Sequence, residues 1–155
     1  MNAGTQYDGT KDDSTQTLNP PDSETLISIL ELANMFLHCS YWMLMLSIAL
    51  TRLDLSGLAW SAKQKDIVCR EAATTIFAWI LSKGGKVELA DIAKPDFDDE
   101  NQSAEYVLQK WDQLDKWLET KMEKILLAVE EGDTTGLKDM MIGLMETFKR
   151  GYLVH

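Results

Sequence analysis

His38 and His155, with Cys39 and Cys69, are all the imidazoles and thiols this chain possesses. So small a stock excludes most His-rich metal sites and makes a Ser-His-Asp or Cys-His arrangement hard to build. His38 lies among Leu37, Cys39 and Tyr41 with no carboxylate at ligand spacing, so it reads as a core or interface histidine. Cys69 could serve as a soft ligand or a redox thiol, but its alanine and isoleucine neighbours favour an inert buried cysteine. The two cysteines are too few for a disulfide framework and form no ligand cluster with each other, and the roles of Cys39 and Cys69 stay open. The acidic run Asp96, Asp98, Asp99 and Glu100 could attract a cation, yet reads as a solvated loop. The five Trp (42, 60, 79, 111, 117) and eight Met look like core and interface filling.

The balance of the chain narrows the partners. Fifteen Lys and Arg against 25 Asp and Glu leave a net charge of −10 over 155 residues. A surface this acidic is repelled by phosphate backbones, which argues against nucleic acid. Apolar residues at 45% and charged residues at 26% are ordinary for one soluble domain with a full core. Residues 1–23 are small, polar and acidic, without the apolar core of a signal peptide or the arginines of a transit peptide. They read as a disordered tail, and the chain as cytoplasmic. Met35–Leu50 is the most membrane-like stretch, but its 16 residues include His38, Ser40 and Ser47. It falls short of the roughly 20 apolar residues of a spanning helix. A helix buried on two faces is the expectation, with no membrane partner.

Apolar spacing predicts four helices within a domain of residues 24–155. Asp22 or Ser23 is placed to cap the first, over about 24–52. The second follows a short connection and spans about 58–83, with Ala62, Cys69, Ala72, Ile76, Trp79 and Ile80 in period, ended by Gly84-Gly85. Val87 to Ile92 hints at a short extended stretch. The third starts near Ser103 and carries Ala104, Val107, Trp111, Leu114, Leu118, Met122, Ile125 and Val129, until Gly132 stops it. The fourth carries Leu137, Met140, Met141, Leu144, Met145 and Phe148, and fades at Gly151. The result is an all-α four-helix bundle. Short links make the first and last pairs antiparallel hairpins. The middle link, residues 84–102, can reach roughly 60 Å. A helix of about 27 residues is roughly 40 Å long, so the link can cross the whole bundle and set the second and third helices parallel.

The stretch from Lys83 through Gly84, Gly85, Val87, Leu89, Asp91, Ile92, Lys94 and Pro95 to Asp96 resembles the ferritin loop between the second and third helices. Asp54-Leu55-Ser56-Gly57-Leu58-Ala59 is similar to the start of the ferritin second helix, and Arg70-Glu71-Ala72-Ala73 to that helix's Arg-Glu-His-Ala. The resemblance covers about residues 24–150 and implies a ferritin-like bundle with a long crossover loop. A di-iron carboxylate bundle needs inward Glu residues and a Glu-x-x-His motif, and no Glu-x-x-His occurs in this chain. By resemblance, the first-helix Glu falls on Asn34, the second-helix Glu and His on Cys69 and Ala72, and the third-helix Glu on Leu114. The fourth-helix polar residue falls near Lys149, and the accompanying tyrosine is kept as Tyr41. Asn34 reads as a buried amide bonded to a neighbouring helix.

The resemblance thus implies a subunit without a ferroxidase centre: no catalytic residue, no tightly bound cofactor or metal, and iron only as stored mineral in a mixed cage. The family's cavity-facing carboxylate patch falls on Trp60–Ile67, which offers Lys63 and Lys65 with only Asp66, so the patch is weak or absent. Of the paired acids at the three-fold channel only Asp139 remains, the other falling near Ile142 or Gly143. A ferritin fourth helix continues further and is followed by a fifth at the four-fold axis, so the end at His155 implies that closure of a shell is not favoured for the chain alone. Two functions are expected from different classes. The first is a light-chain-like, non-catalytic subunit that assembles with other ferritin subunits for iron storage. The second is a degenerate bundle acting in protein interaction or as a chaperone-like factor without iron. A homodimer built on the first two helices and the extended loop is expected in either case.

Overall fold

The computed structural model describes residues 23–98, 103–129 and 135–153. They form four α-helices: α1 (Ser23–Arg52), α2 (Ser56–Ser82), α3 (Ala104–Ala128) and α4 (Leu137–Leu153). No strand occurs among the described residues, and Val87 to Ile92 pairs with no other strand. Tail residues 1–22, the acids Asp99 and Glu100, and the Gly132 stop lie outside the described residues. Ser23 itself is helical, and α2 begins two residues before the expected Leu58. The reason is local: Ala59 N–H bonds the Leu55 carbonyl at 2.9 Å, closing a first turn that contains Ser56 and Gly57.

Both ends of the first hairpin are closed by reversed hydrogen bonds. After α1, Leu55 N–H reaches Leu50 O at 3.0 Å and Asp54 N–H reaches Thr51 O at 3.1 Å. Asp54 takes a positive φ of 59°, a conformation that Asp tolerates better than most side chains. After α2, Gly85 N–H bonds Ile80 O at 2.9 Å and Gly84 N–H bonds Leu81 O at 3.1 Å, with Gly84 at φ 79°. This is the Schellman pattern, and it needs glycine at the first position. Gly85 is needed for a second reason, since a Cβ there would meet Ile80 Cγ2 at 2.8 Å. The start of α3 is capped by Ser103 Oγ, which accepts from Tyr106 N–H at 3.1 Å.

Two apolar clusters fill the interior. One joins Ile29, Leu32 and Phe36 of α1, Ile76 and Ile80 of α2, Leu118 and Met122 of α3, and Met141 and Phe148 of α4. The other joins Trp42, Leu46 and Leu50 of α1 with Ala59 and Ala62 of α2 and Val107 and Trp111 of α3. Between them, at residues 40, 65, 66 and 115, the buried side chains are polar. Residues 83–98 run past both clusters: Val87 packs on the first, Pro95 is buried, and Phe97 packs on the second with its ring 6.5 Å from that of Trp42. Tyr106 Oη accepts from Asp98 N–H at 3.0 Å and holds that end of the connection.

α1 is long and apolar enough, by length and composition, to cross a membrane, and more than half of its most apolar window is buried inside the bundle. It also carries apolar side chains outward. Tyr41, Leu44 and Ile48 follow one another at helical spacing and are exposed, as are Trp60 and Ile67 of α2.

Candidate functional site

The polar layer between the two clusters is built by register. On α2 the inward positions are Ala62, Lys65, Cys69, Ala73, Ile76 and Ile80, so the core period places an ammonium inside. On α3 the same period runs Val107, Trp111, Asp115, Leu118, Met122, and places a carboxylate there. Lys65 Nζ lies 3.7 Å from Asp115 Oδ1, with the two side chains 1% and 5% exposed. The ammonium also donates to the Phe148 carbonyl of α4 at 3.2 Å and sits 3.4 Å from the centroid of the Phe148 ring. Phe36 of α1 meets that ring edge-on at 6.2 Å. All four helices therefore converge on one buried charge.

Burial holds the Lys65 ammonium below the usual lysine range, and Asp115 opposes the shift. The same burial raises both thiols nearby. Cys69 is pushed up to about 12, with Lys65 opposing. Cys39 goes higher still, helped by Cys69 and Asp115. Thiols held protonated are poor nucleophiles and poor soft ligands, so Cys39 and Cys69 behave as small apolar side chains. The Lys65 ammonium and the Asp115 carboxylate form a buried pair of opposite charges. That arrangement holds helices together and offers no open position to a reactant.

Beside it, Asp66 accepts from Ser40 Oγ of α1 and pairs with Arg70 Nη2 at 2.9 Å. The residues of the stretch that the resemblance sets toward a cavity are split here. Of Lys63, Lys65 and Asp66, only Lys63 is exposed; Lys65 points into the core and Asp66 is buried against α1. The three do not form one surface.

The positions assigned by resemblance fall in different surroundings. Cys69 and Ala72 are buried in the first cluster, and Leu114 packs on the partition between the clusters. Tyr41 and Lys149 are exposed. Asp139, Ile142 and Gly143 are exposed as well. Asn34 is half-buried and its partner is not a neighbouring helix, which corrects the expectation. Its Oδ1 accepts from Ala90 N–H at 3.0 Å, and its Nδ2 donates to Glu88 O at 3.2 Å and Leu30 O at 3.1 Å. Asn34 is a clamp on the long connection. Among the described residues no group of three or more His, Cys, Asp or Glu is gathered so that it could hold a metal ion.

Asn34 also stands at the edge of an open groove of about 950 Å3 between α1, α3 and residues 88–91. Ile27, Leu30, Met35, Leu89 and Trp117 give it an apolar lining, and a 2.8 Å ion pair between Lys121 and Glu31 bridges its rim. His38 lies in it, its ring 5.4 Å from that of Trp117, and partial burial lowers its pKa. Asp115 is the central residue that the sequence reading did not single out, while Lys65 was placed on a patch and Phe148 on the apolar period of the fourth helix. The signal was present, since Lys65 and Asp115 both fall on the core period of their helices.

No protein-family model matches this chain, and no curated protein matches it. The likeness to ferritins stands on the loop and helix residues quoted above.

Proposed function

We propose that this chain is a non-catalytic, light-chain-like ferritin-family subunit that contributes to iron storage by assembling with ferroxidase-competent subunits. The observation that carries the reading is the interior. The positions that the resemblance assigns to the di-iron ligands carry Asn34, Cys69, Ala72 and Leu114, and the bundle's interior holds a lysine paired with Asp115. An ammonium at that place repels a second cation, while its pairing keeps four helices packed.

The helix directions support the crossover part of the reading. Glu31 meets Lys121 at 2.8 Å, His38 meets Trp117, and Trp42 meets Lys110, so α1 and α3 run oppositely. Ser40 meets Asp66, while Leu50 and Ala59 share one cluster and Ile29 and Ile80 the other, so α1 and α2 run oppositely too. α2 and α3 then run parallel, joined by a connection that packs on both clusters. The exposed Tyr41, Leu44 and Ile48 beside Trp60 and Ile67 give a homodimer its contact face. Iron is cargo in this reading, and no resident cofactor is required. The protein acts in the cytoplasm, away from nucleic acid and membrane.

A second reading, a protein-interaction or chaperone-like bundle without iron, is favoured by the apolar groove beside Trp117 and Leu89. Iron separates the two. Ferrous iron offered in air to mixed assemblies containing this chain should be oxidised more slowly per subunit than by the active ferritin alone, yet be retained as mineral that co-elutes with the chain. Retention without this chain in the iron-bearing fraction would favour the interaction reading.

A further inference from the structure

We infer that the open groove between α1, α3 and residues 88–91 docks an amphipathic helix of another protein, one with acidic residues along one flank of its apolar stripe and basic residues along the other. The inference is independent of iron storage; it rests on the interaction reading and gives that reading a place on the molecule. The floor of the groove is α1, where Ile27, Leu30, Asn34 and His38 follow one another at steps of three and four. One wall is α3 from Trp117 to Lys124, and the other is the connection at residues 88–91. Each of the three segments leaves a large apolar side chain open there: Ile27 is 59% exposed, Trp117 43% and Leu89 67%. Scattered exposed apolar residues mean little, but a patch gathered from three segments and rimmed by charge marks a recognition surface.

The charges on the two walls select the occupant. Lys121 and Lys124 stand on α3, and Glu88 and Asp91 on the connection. Lys121 is drawn toward Glu31 of α1 at 2.8 Å, while Lys124, Glu88 and Asp91 are exposed. A basic wall and an acidic wall together disfavour a partner of one sign and favour one whose flanks differ in sign. Nucleic acid, negative throughout, meets the acidic wall wrongly. The occupant is a helix because the groove offers a strand little to pair with. The Glu88 carbonyl and the Ala90 N–H are engaged by Asn34, and the floor and the other wall are helices whose backbones bond internally. A helix satisfies its own backbone and needs only side-chain contact. The floor from Ile27 to His38 is about 16 Å long, which gives room for about three turns.

The test is fluorescence anisotropy on the full chain with a labelled helix-forming peptide of about 14 residues. Its leucines recur at steps of three and four, with glutamates along one flank and lysines along the other. A second peptide of the same composition carries glutamate and lysine mixed on both flanks. The first should bind at least about fivefold more tightly than the second. Leu89→Asp, at an exposed position, should weaken the first peptide about tenfold while helicity and Tm stay as they are. Should that variant fail to fold, Ile27→Asp carries the same expectation. Lys124→Glu should reduce the preference between the peptides to about twofold or less. The interaction reading is judged separately, by whether this chain is found in the iron-bearing fraction. No saturable binding up to about 1 mM peptide, equal affinity for the two peptides, or an affinity that Leu89→Asp leaves unchanged would each overturn the docking site. Loss of a dimer in Leu89→Asp, with neither peptide binding the natural chain, would give the groove to a second copy and overturn it as well.

Discussion

Lys65 and Asp115 are the two residues whose chemistry decides most about this bundle. A buried ion pair is no guarantee of stability, but breaking one side of it is costly, because the other charge stays behind in a low dielectric. Lys65→Met should therefore lower unfolding free energy by about 3–5 kcal/mol in chemical denaturation. The pH dependence follows from the direction of the shift. The folded pKa of Lys65 lies below its unfolded value, so between the two the unfolded chain holds a proton that the folded chain has shed. Stability from this group is present above the unfolded value near 10.5 and is lost as pH falls through the folded one. The raised thiols of Cys39 and Cys69 act the opposite way, costing stability as pH rises through the range where unfolded thiols ionise. Compared with the natural chain, Lys65→Met should lose stability more steeply on the alkaline side, by up to about 1.4 kcal/mol per pH unit. Equal slopes would show that the lysine titrates as it does in water. Both thiols should resist a disulfide reagent at pH 8 in the native protein and react at once after denaturation. The burial of Cys69 was legible from its alanine and isoleucine neighbours. The ion pair was not, because the resemblance sets Lys63, Lys65 and Asp66 on a cavity-facing patch, and only the 3.6-residue period turns Lys65 inward.

At the scale of elements, helix existence followed directly from apolar spacing, and the ends followed from glycine and serine chemistry at Gly84, Gly85 and Ser103. The long connection was less legible. Val87 to Ile92 alternates as a strand would, yet no neighbouring strand is there, and its backbone groups turn to a side chain instead. Asn34 supplies that partner. Its amide matches one carbonyl and one N–H of the connection, a role that the four-residue spacing along α1 does not reveal. Asn34→Ala removes both bonds across the gap and should cost about 1–3 kcal/mol. Limited proteolysis should then cut residues 86–94 several-fold faster while α1 and α2 remain intact; unchanged cutting would mean that Val87 and Phe97 hold the connection unaided. Tyr41 shows the converse error. The resemblance keeps it as the tyrosine that accompanies the site, whereas its place on α1, in step with Leu44 and Ile48, turns it outward.

On the whole-molecule scale, α1 is asked to serve two surfaces, one buried in the bundle and one left apolar at Tyr41, Leu44 and Ile48. A second copy covering this face is the simplest way to keep it from water. Light scattering of the purified chain at micromolar concentration should return twice the 17.5 kDa of one subunit. A stable monomer would remove the dimer from the account, and a mass of hundreds of kilodaltons would show that the chain closes a shell unaided. Because the interior is held by a lysine and apolar contacts, exhaustive chelation should leave Tm unchanged; a fall of several degrees would reveal a metal that supports the fold. The central claim is membership in a storage shell built with active subunits. Co-expression with a ferroxidase-competent ferritin, followed by sizing and native mass spectrometry of the large fraction, tests it most directly. Mixed cages containing both chains are the predicted result, and complete segregation of this chain from the cages would contradict it.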